Sequence, residues 1–148
     1  MKKSFKLVML CVLAFGSLLV FNPKDKAEAA TSSWKTVSGF GSGCQVRVVT
    51  DSGTYYSGAS TIDAYAQTNG KCGTLSYTTW VEYPRDGGAA SKETYSGSFS
   101  SKTSTRKFSL SYIRGSMEKN SSQRLYVYFF FDKGSKSFND NVGVTIYK

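Results

Sequence analysis

The side chains that could do chemistry in this chain are few, and an absence defines them: its 148 residues include no histidine. Histidine alone titrates near neutrality at its ordinary pKa. Ser-His-Asp and Cys-His hydrolysis, imidazole acid/base catalysis and the common zinc sites are therefore excluded. Carboxylates are what is left. Asp63 and Glu82 are the one strand-borne pair that glycosidase-type chemistry could draw on, and each is better explained as an ion-pair partner of a neighbouring Lys or Arg. Asn139-Asp140-Asn141 reads as a turn, with too few oxygens for the roughly six to eight ligands of calcium. With no Gly-rich phosphate loop either, the expectation is a protein that is not an enzyme and needs no cofactor and no metal.

The N-terminal segment points to export. Residues 1–6 carry Lys2, Lys3 and Lys6, an apolar run follows from Leu7 to Phe21, and small residues close the segment at Ala27, Ala29 and Ala30. This is the pattern of a secretory signal peptide, too short in its apolar part for the roughly 20 residues of a spanning helix. Cleavage after Ala29 places small residues at −3 and −1, so 1–29 is expected to be removed and 30–148 to form a single β domain. In style the leader resembles those of secreted proteins of Gram-positive bacteria, which implies an extracellular or surface-associated product. Removal of 1–29 takes away Cys11 and leaves Cys44 and Cys72, a pair expected to form a disulfide outside the cell. It also lowers the formal charge from +9 to +6, with fourteen basic residues against eight acidic ones.

The elements that must position these groups are strands. Apolar residues recur at every second position in Cys44–Val48, Ile62–Ala66, Leu75–Tyr83 (Thr79 excepted), Phe108–Tyr112 and Val142–Ile146, the period of a strand with one buried face. Leu125–Phe131 is apolar or aromatic at every position and reads as a central strand covered on both sides. Asp51-Ser52-Gly53, Asn69-Gly70, Asp86-Gly87-Gly88 and Asp132-Lys133-Gly134 separate the runs with turn chemistry, and Thr68–Lys71 is the strongest hairpin signal. The expected fold is all-β: an antiparallel β-sandwich, or a small closed barrel, of about seven strands with one disulfide. Its core is expected on Val46, Val48, Ile62, Leu75, Val81, Phe108, Leu110, Leu125, Val127, Phe129, Val144 and Ile146. Cys72 falls on the opposite parity from Leu75, which a bulge at Gly73 would reconcile.

The same parity selects the outward side chains. Trp80, Tyr126, Tyr128, Tyr147 and Tyr65 offer flat apolar faces with hydroxyl neighbours, and with Arg47 they are the candidate ligand-binding residues. The function these residues imply is a secreted, non-catalytic binding module for an anionic or glycan-bearing surface, such as a cell-wall polymer or polysaccharide. The excess of basic residues also suits an anionic membrane surface. Sequence-specific nucleic-acid binding is not expected, because no recognition helix or RNP-like motif is present. The alternative is a cationic antimicrobial or membrane-active toxin, for which Thr94–Ser111, with Tyr95, Phe99, Phe108 and Leu110 around Lys102, Arg106 and Lys107, would be a barrel-forming hairpin.

Overall fold

The computed structural model describes residues 28–84 and 88–148. The expected signal segment, up to residue 27, and most of the Asp86-Gly87-Gly88 turn lie outside the described residues. Among the described residues the strands are β1 (Lys35–Thr36), β2 (Gln45–Thr50), β3 (Thr54–Tyr55), β4 (Thr61–Thr68), β5 (Leu75–Glu82), β6 (Tyr95–Phe99), β7 (Arg106–Ser109), β8 (Ser122–Lys133) and β9 (Lys136–Tyr147), with one short helix, α1 (Leu110–Gly115). They form two open sheets, one in the order β1-β2-β4-β7 and the other β3-β9-β8-β5-β6. All pairings are antiparallel except β3 with β9. The molecule is a sandwich, not a closed barrel.

Period two determines what lies between the sheets. Val46, Val48, Ile62, Leu75, Val81, Phe108, Leu110, Leu125, Val127, Phe129, Val144 and Ile146 are all fully buried, as their alternation requires. Phe40, Phe131 and Ile113 are further large side chains fully buried with them. Leu110 reaches it differently from expectation: the Phe108–Tyr112 alternation ends at Ser109, and α1 turns Leu110 and Ile113 inward while Tyr112 faces solvent. A helix reverses which alternate positions are buried because its side chains recur at three and four residues.

Connectivity departs further from the sequence reading. Thr68–Lys71 is not a hairpin, since β4 and β5 belong to different sheets and 69–74 carries the chain across the sandwich. Asn69 spends its turn chemistry on that crossing: its Oδ1 accepts the backbone N–H of Gln45 and of Lys71. Thr94–Ser111 is likewise divided, β6 joining one sheet and β7 the other, so no barrel-forming hairpin exists there. Asn139–Asn141 lies inside β9 and is not a turn. The long hairpin is β8–β9, closed by Gly134-Ser135 between the paired Lys133 and Lys136. Gly134 has φ +59°, the left-handed first position of a type II′ turn.

The disulfide forms as expected, Cys44 to Cys72, and both cysteines are fully buried. The parity conflict is resolved without a bulge in β5: Cys72 precedes the strand, and Gly73, at φ +67°, redirects the chain between them. The Lys133 ammonium donates to the carbonyls of Cys72 and Phe40, which ties the β8–β9 turn to this crossing. Near the N-terminus, the Ser32 hydroxyl donates to the buried Asp140 carboxylate on β9 and accepts the Val48 N–H, joining the two sheets. At the opposite end of the sandwich the Arg114 guanidinium donates to the carbonyls of Tyr56, Ala59 and Tyr147.

Two predictions follow from these ties. Replacing both cysteines, Cys44→Ala with Cys72→Ala, removes a cross-link between residues 28 apart and is expected to cost about 3 to 4 kcal/mol in urea unfolding. The second concerns Asp140, whose pKa is raised above its ordinary 3.8 by burial, against the opposing effects of the Ser32 hydroxyl, the Asn141 N–H and the Lys35 charge. The folded state therefore holds a proton that the unfolded chain has released, so stability should fall as pH rises from 3.8 through the raised value. Asp140→Asn keeps an acceptor for Ser32 and should flatten that decline, as measured by urea unfolding from pH 4 upward.

Candidate functional site

The outer face of the five-stranded sheet is built by the alternation that fills the core. In β8, Leu125, Val127, Phe129 and Phe131 point inward, so Arg124, Tyr126, Tyr128 and Phe130 point out. In β5, Leu75, Tyr77, Thr79 and Val81 point inward, which leaves Thr78, Trp80 and Glu82 outside. The register sets Trp80 against Tyr128, Glu82 against Tyr126 and Thr78 against Phe130. Aromatic side chains thus gather on two neighbouring strands.

Their geometry is that of a platform. The Trp80 and Tyr128 rings lie nearly parallel, at 13° with centroids 5.9 Å apart, and Tyr126 adjoins Tyr128 at 6.3 Å. The indole N–H donates to the Glu82 carboxylate at 2.8 Å, which fixes the ring. Burial, then the charge of Glu82 and the neighbouring Tyr126, push the Tyr128 phenol above its usual range, so it stays a neutral donor. Small residues of β9 flank the row: Tyr128 pairs with Asn141 and Tyr126 with Gly143. Arg124 lies across the bare Gly143 backbone, where a Cβ would stand 2.9 Å from its Cζ, and its guanidinium is 5.8 Å from the Tyr126 ring centroid. A mid-strand glycine often marks such a close approach.

The six candidate residues divide between the two outer faces. Trp80, Tyr126 and Tyr128 come together. Tyr147 shares their face at the far end of β9 but stacks on Tyr56, with centroids 5.2 Å apart. Tyr65 and Arg47 lie on the other sheet, separated from Trp80 by the whole core. Arg124 and Phe130 join the platform although the sequence reading did not select them. Phe130 was hidden by the expectation that Leu125–Phe131 is covered on both faces, whereas Phe130 is 36% exposed and, among the described residues, no layer covers its side of the sheet. Its parity with Tyr126 and Tyr128 was the available signal.

The carboxylates do not form a catalytic pair. Asp63 lies on the four-stranded sheet and pairs with Lys107 at 2.8 Å, while Glu82 is on the opposite outer face, bonded to Trp80. Burial alone would raise the Asp63 pKa, but hydrogen bonds from Lys107 and Thr61, with the Lys107 charge, hold it below the ordinary value. It remains an anion committed to its partner. Among the described residues no group of three or more His, Cys, Asp or Glu side chains is gathered to hold a metal.

Comparison with known proteins places this geometry in a family. The family described as the YqgA MG2 macroglobulin domain matches residues 27–145. The chain belongs to that family. The match takes in both sheets' central strands, the disulfide and the whole aromatic row. A relative, the cell wall-binding protein YqgA of Bacillus subtilis (strain 168), is 49% identical over 106 residues, 72% of this chain and 73% of the relative. Among solved structures, the periplasmic chaperone SfaE overlays with a TM-score of 0.49 at 11% identity, over 63% of this chain and 51% of the chaperone.

Gly143 offers a test of the platform that leaves the fold intact. The atoms a Cβ would meet belong to the flexible, exposed end of Arg124, so Gly143→Ala should be neutral or stabilising by up to about 1 kcal/mol. It should nonetheless displace the guanidinium from beside Tyr126, visible in a crystal structure of the variant and as a change in Tyr126 ring chemical shifts.

Proposed function

We propose that this protein is an exported, non-catalytic module that binds cell-wall polysaccharide through the outer face of its five-stranded sheet, after removal of residues 1–29. The observation that carries this reading is the row Trp80, Tyr128, Tyr126: three aromatic side chains held outward on adjacent strands, two of them nearly parallel. Flat rings of this kind offer an apolar face to the C–H face of a sugar, and tyrosine hydroxyls add a hydrogen-bonding rim. Thr78, Glu82, Asn141 and Arg124 surround the rings with further donors and acceptors. The relative's name, a cell wall-binding protein, supports the same class of ligand. The fixed Trp80 indole adds pre-organisation, since little side-chain freedom is left to lose on binding.

The membrane-active alternative draws less support. Its barrel-forming hairpin would have to be taken from two different sheets, and of its apolar side chains Phe99, Phe108 and Leu110 are buried in the core. Exposing them would mean unfolding the domain.

The test is co-sedimentation of the chain from Ala30 with purified cell-wall sacculi and, in parallel, with anionic lipid vesicles, each at low and high salt. Retention on sacculi is expected to persist at high salt, because stacking is not screened. Trp80→Ala should weaken it roughly fivefold, and Tyr126→Ala with Tyr128→Ala roughly thirtyfold, the equivalent of about 1 kcal/mol per lost aromatic contact. Wall retention that is abolished by salt and indifferent to these substitutions would defeat the platform reading. Vesicle leakage in the absence of wall binding would favour the alternative.

A further inference from the structure

The outer face of the four-stranded sheet carries a second arrangement, of different chemistry. Trp34, just before β1, Arg47 on β2, Gln67 on β4 and Lys102 beyond it fall in one row across the sheet. Arg47 pairs with Gln67, and Gln67 bridges to Lys102. The segment holding Lys102 is fixed to β4 by Thr103, whose N–H donates to the Ala66 carbonyl and whose hydroxyl accepts the Ala66 N–H. The Arg47 guanidinium lies 4.4 Å from the Trp34 ring centroid, and the Lys102 ammonium 3.8 Å from that of Tyr65.

What distinguishes these cations is how they are held. A carboxylate would orient a cation and also cancel its charge, whereas an aromatic face orients it and leaves the charge in place. Among the described residues the one ion pair is Lys107 with Asp63, on this same face, and it leaves Arg47 and Lys102 without an acidic partner. Arg47 spends only its Nε–H on the protein, donating to the Gln67 side-chain oxygen at 2.9 Å. Its two terminal nitrogens make no hydrogen bond among the described residues and remain available for a bidentate anion contact. Trp34 is 39% exposed beside it. Cations fixed in a row and uncompensated match a chain of regularly spaced negative charges.

We propose that this face is a second, independent binding site, and that it takes a polyanionic polymer chain. Because it lies on the side of the sandwich opposite to the Trp80 platform, one molecule can hold a polyanion and a neutral glycan strand at once and bridge them. The site stands without the platform; only the bridging role rests on that reading.

The experiment measures the affinity of the chain from Ala30 for two probes, linear inorganic polyphosphate and polygalacturonate, across a salt series. Three variants are compared: Arg47→Gln with Lys102→Gln, Lys92→Gln with Lys119→Gln as an exposed pair of equal charge change, and Trp80→Ala with Tyr128→Ala. Tight binding of either probe is expected to fall about tenfold in the first variant, with a shallower salt dependence because fewer counterions are released. The second and third should stay within about twofold. No binding of either probe, or an equal loss in the Lys92/Lys119 variant, would overturn the proposal, the latter by showing that net charge alone is at work. Loss in the Trp80/Tyr128 variant would also overturn it, by placing the polyanion on the platform. Sacculus retention by the Arg47/Lys102 variant reports on the platform separately, so the two readings can fail one at a time.

Discussion

The crossing of the chain from one sheet to the other at residues 69–74 is the constraint on which both outer faces depend. Strands adjacent in sequence, β4 and β5, must leave this link in different layers, and their side chains then face solvent on opposite sides of the molecule. The Cys44–Cys72 disulfide fixes the link to the start of β2, and the Lys133 ammonium fixes it to the turn between β8 and β9. The ammonium is bonded to carbonyls of two fully buried residues, Phe40 and Cys72, and unmet backbone acceptors in such a place are costly. Covalent and electrostatic ties therefore act on the same few residues. A slip of one residue in the strands they anchor would exchange every core side chain for an outward one.

The charge of this protein is less diffuse than its total suggests. Lys133 and Arg114 cap opposite ends of the sandwich by donating to backbone carbonyls, and Lys148 does the same for Met117. Arg106 is bonded to the Tyr77 hydroxyl, and Lys107 to Asp63. These cations are part of the architecture, and a count of basic residues overstates how many can meet an anion. Three of the others are held by aromatic rings: Arg124 beside Tyr126, Arg47 over Trp34, Lys102 over Tyr65. An aromatic face limits the conformational freedom of a long cationic side chain without neutralising it. That arrangement suits binding better than it suits stability.

The two outer faces illustrate how one rule of strand geometry produces two surfaces. Alternation assigns each residue to a side, pairing brings residues of different strands into rows, and the composition of each row decides its chemistry. On the five-stranded sheet the row is aromatic with a polar rim; on the four-stranded sheet it is cationic with aromatic supports. Both rest on a rigid, disulfide-linked scaffold with a fully buried core, so their side chains are presented with little reorganisation to lose on binding.

Local patterning made much of this legible in the sequence. Period two marked the buried positions from Val46 to Ile146 and placed Trp80, Tyr126 and Tyr128 outside, because the pleat alone decides which side a residue faces. The missing histidine removed whole classes of catalysis, and the two remaining cysteines had one intrachain pairing available. What the sequence could not decide was which strands are neighbours. Asn69-Gly70 has the same turn chemistry whether the chain doubles back within a sheet or crosses to the other, and Asn139–Asn141 looks like a turn until its pairing with Tyr128–Phe130 makes it strand. Leu110 stayed in the core while its strand became a helix. Partnering is set by contacts between residues distant in sequence, through the packing of two faces and the closure of Cys44 on Cys72. Only the tertiary structure could therefore join Trp80 to Tyr128 and send Arg47 and Tyr65 to the other side.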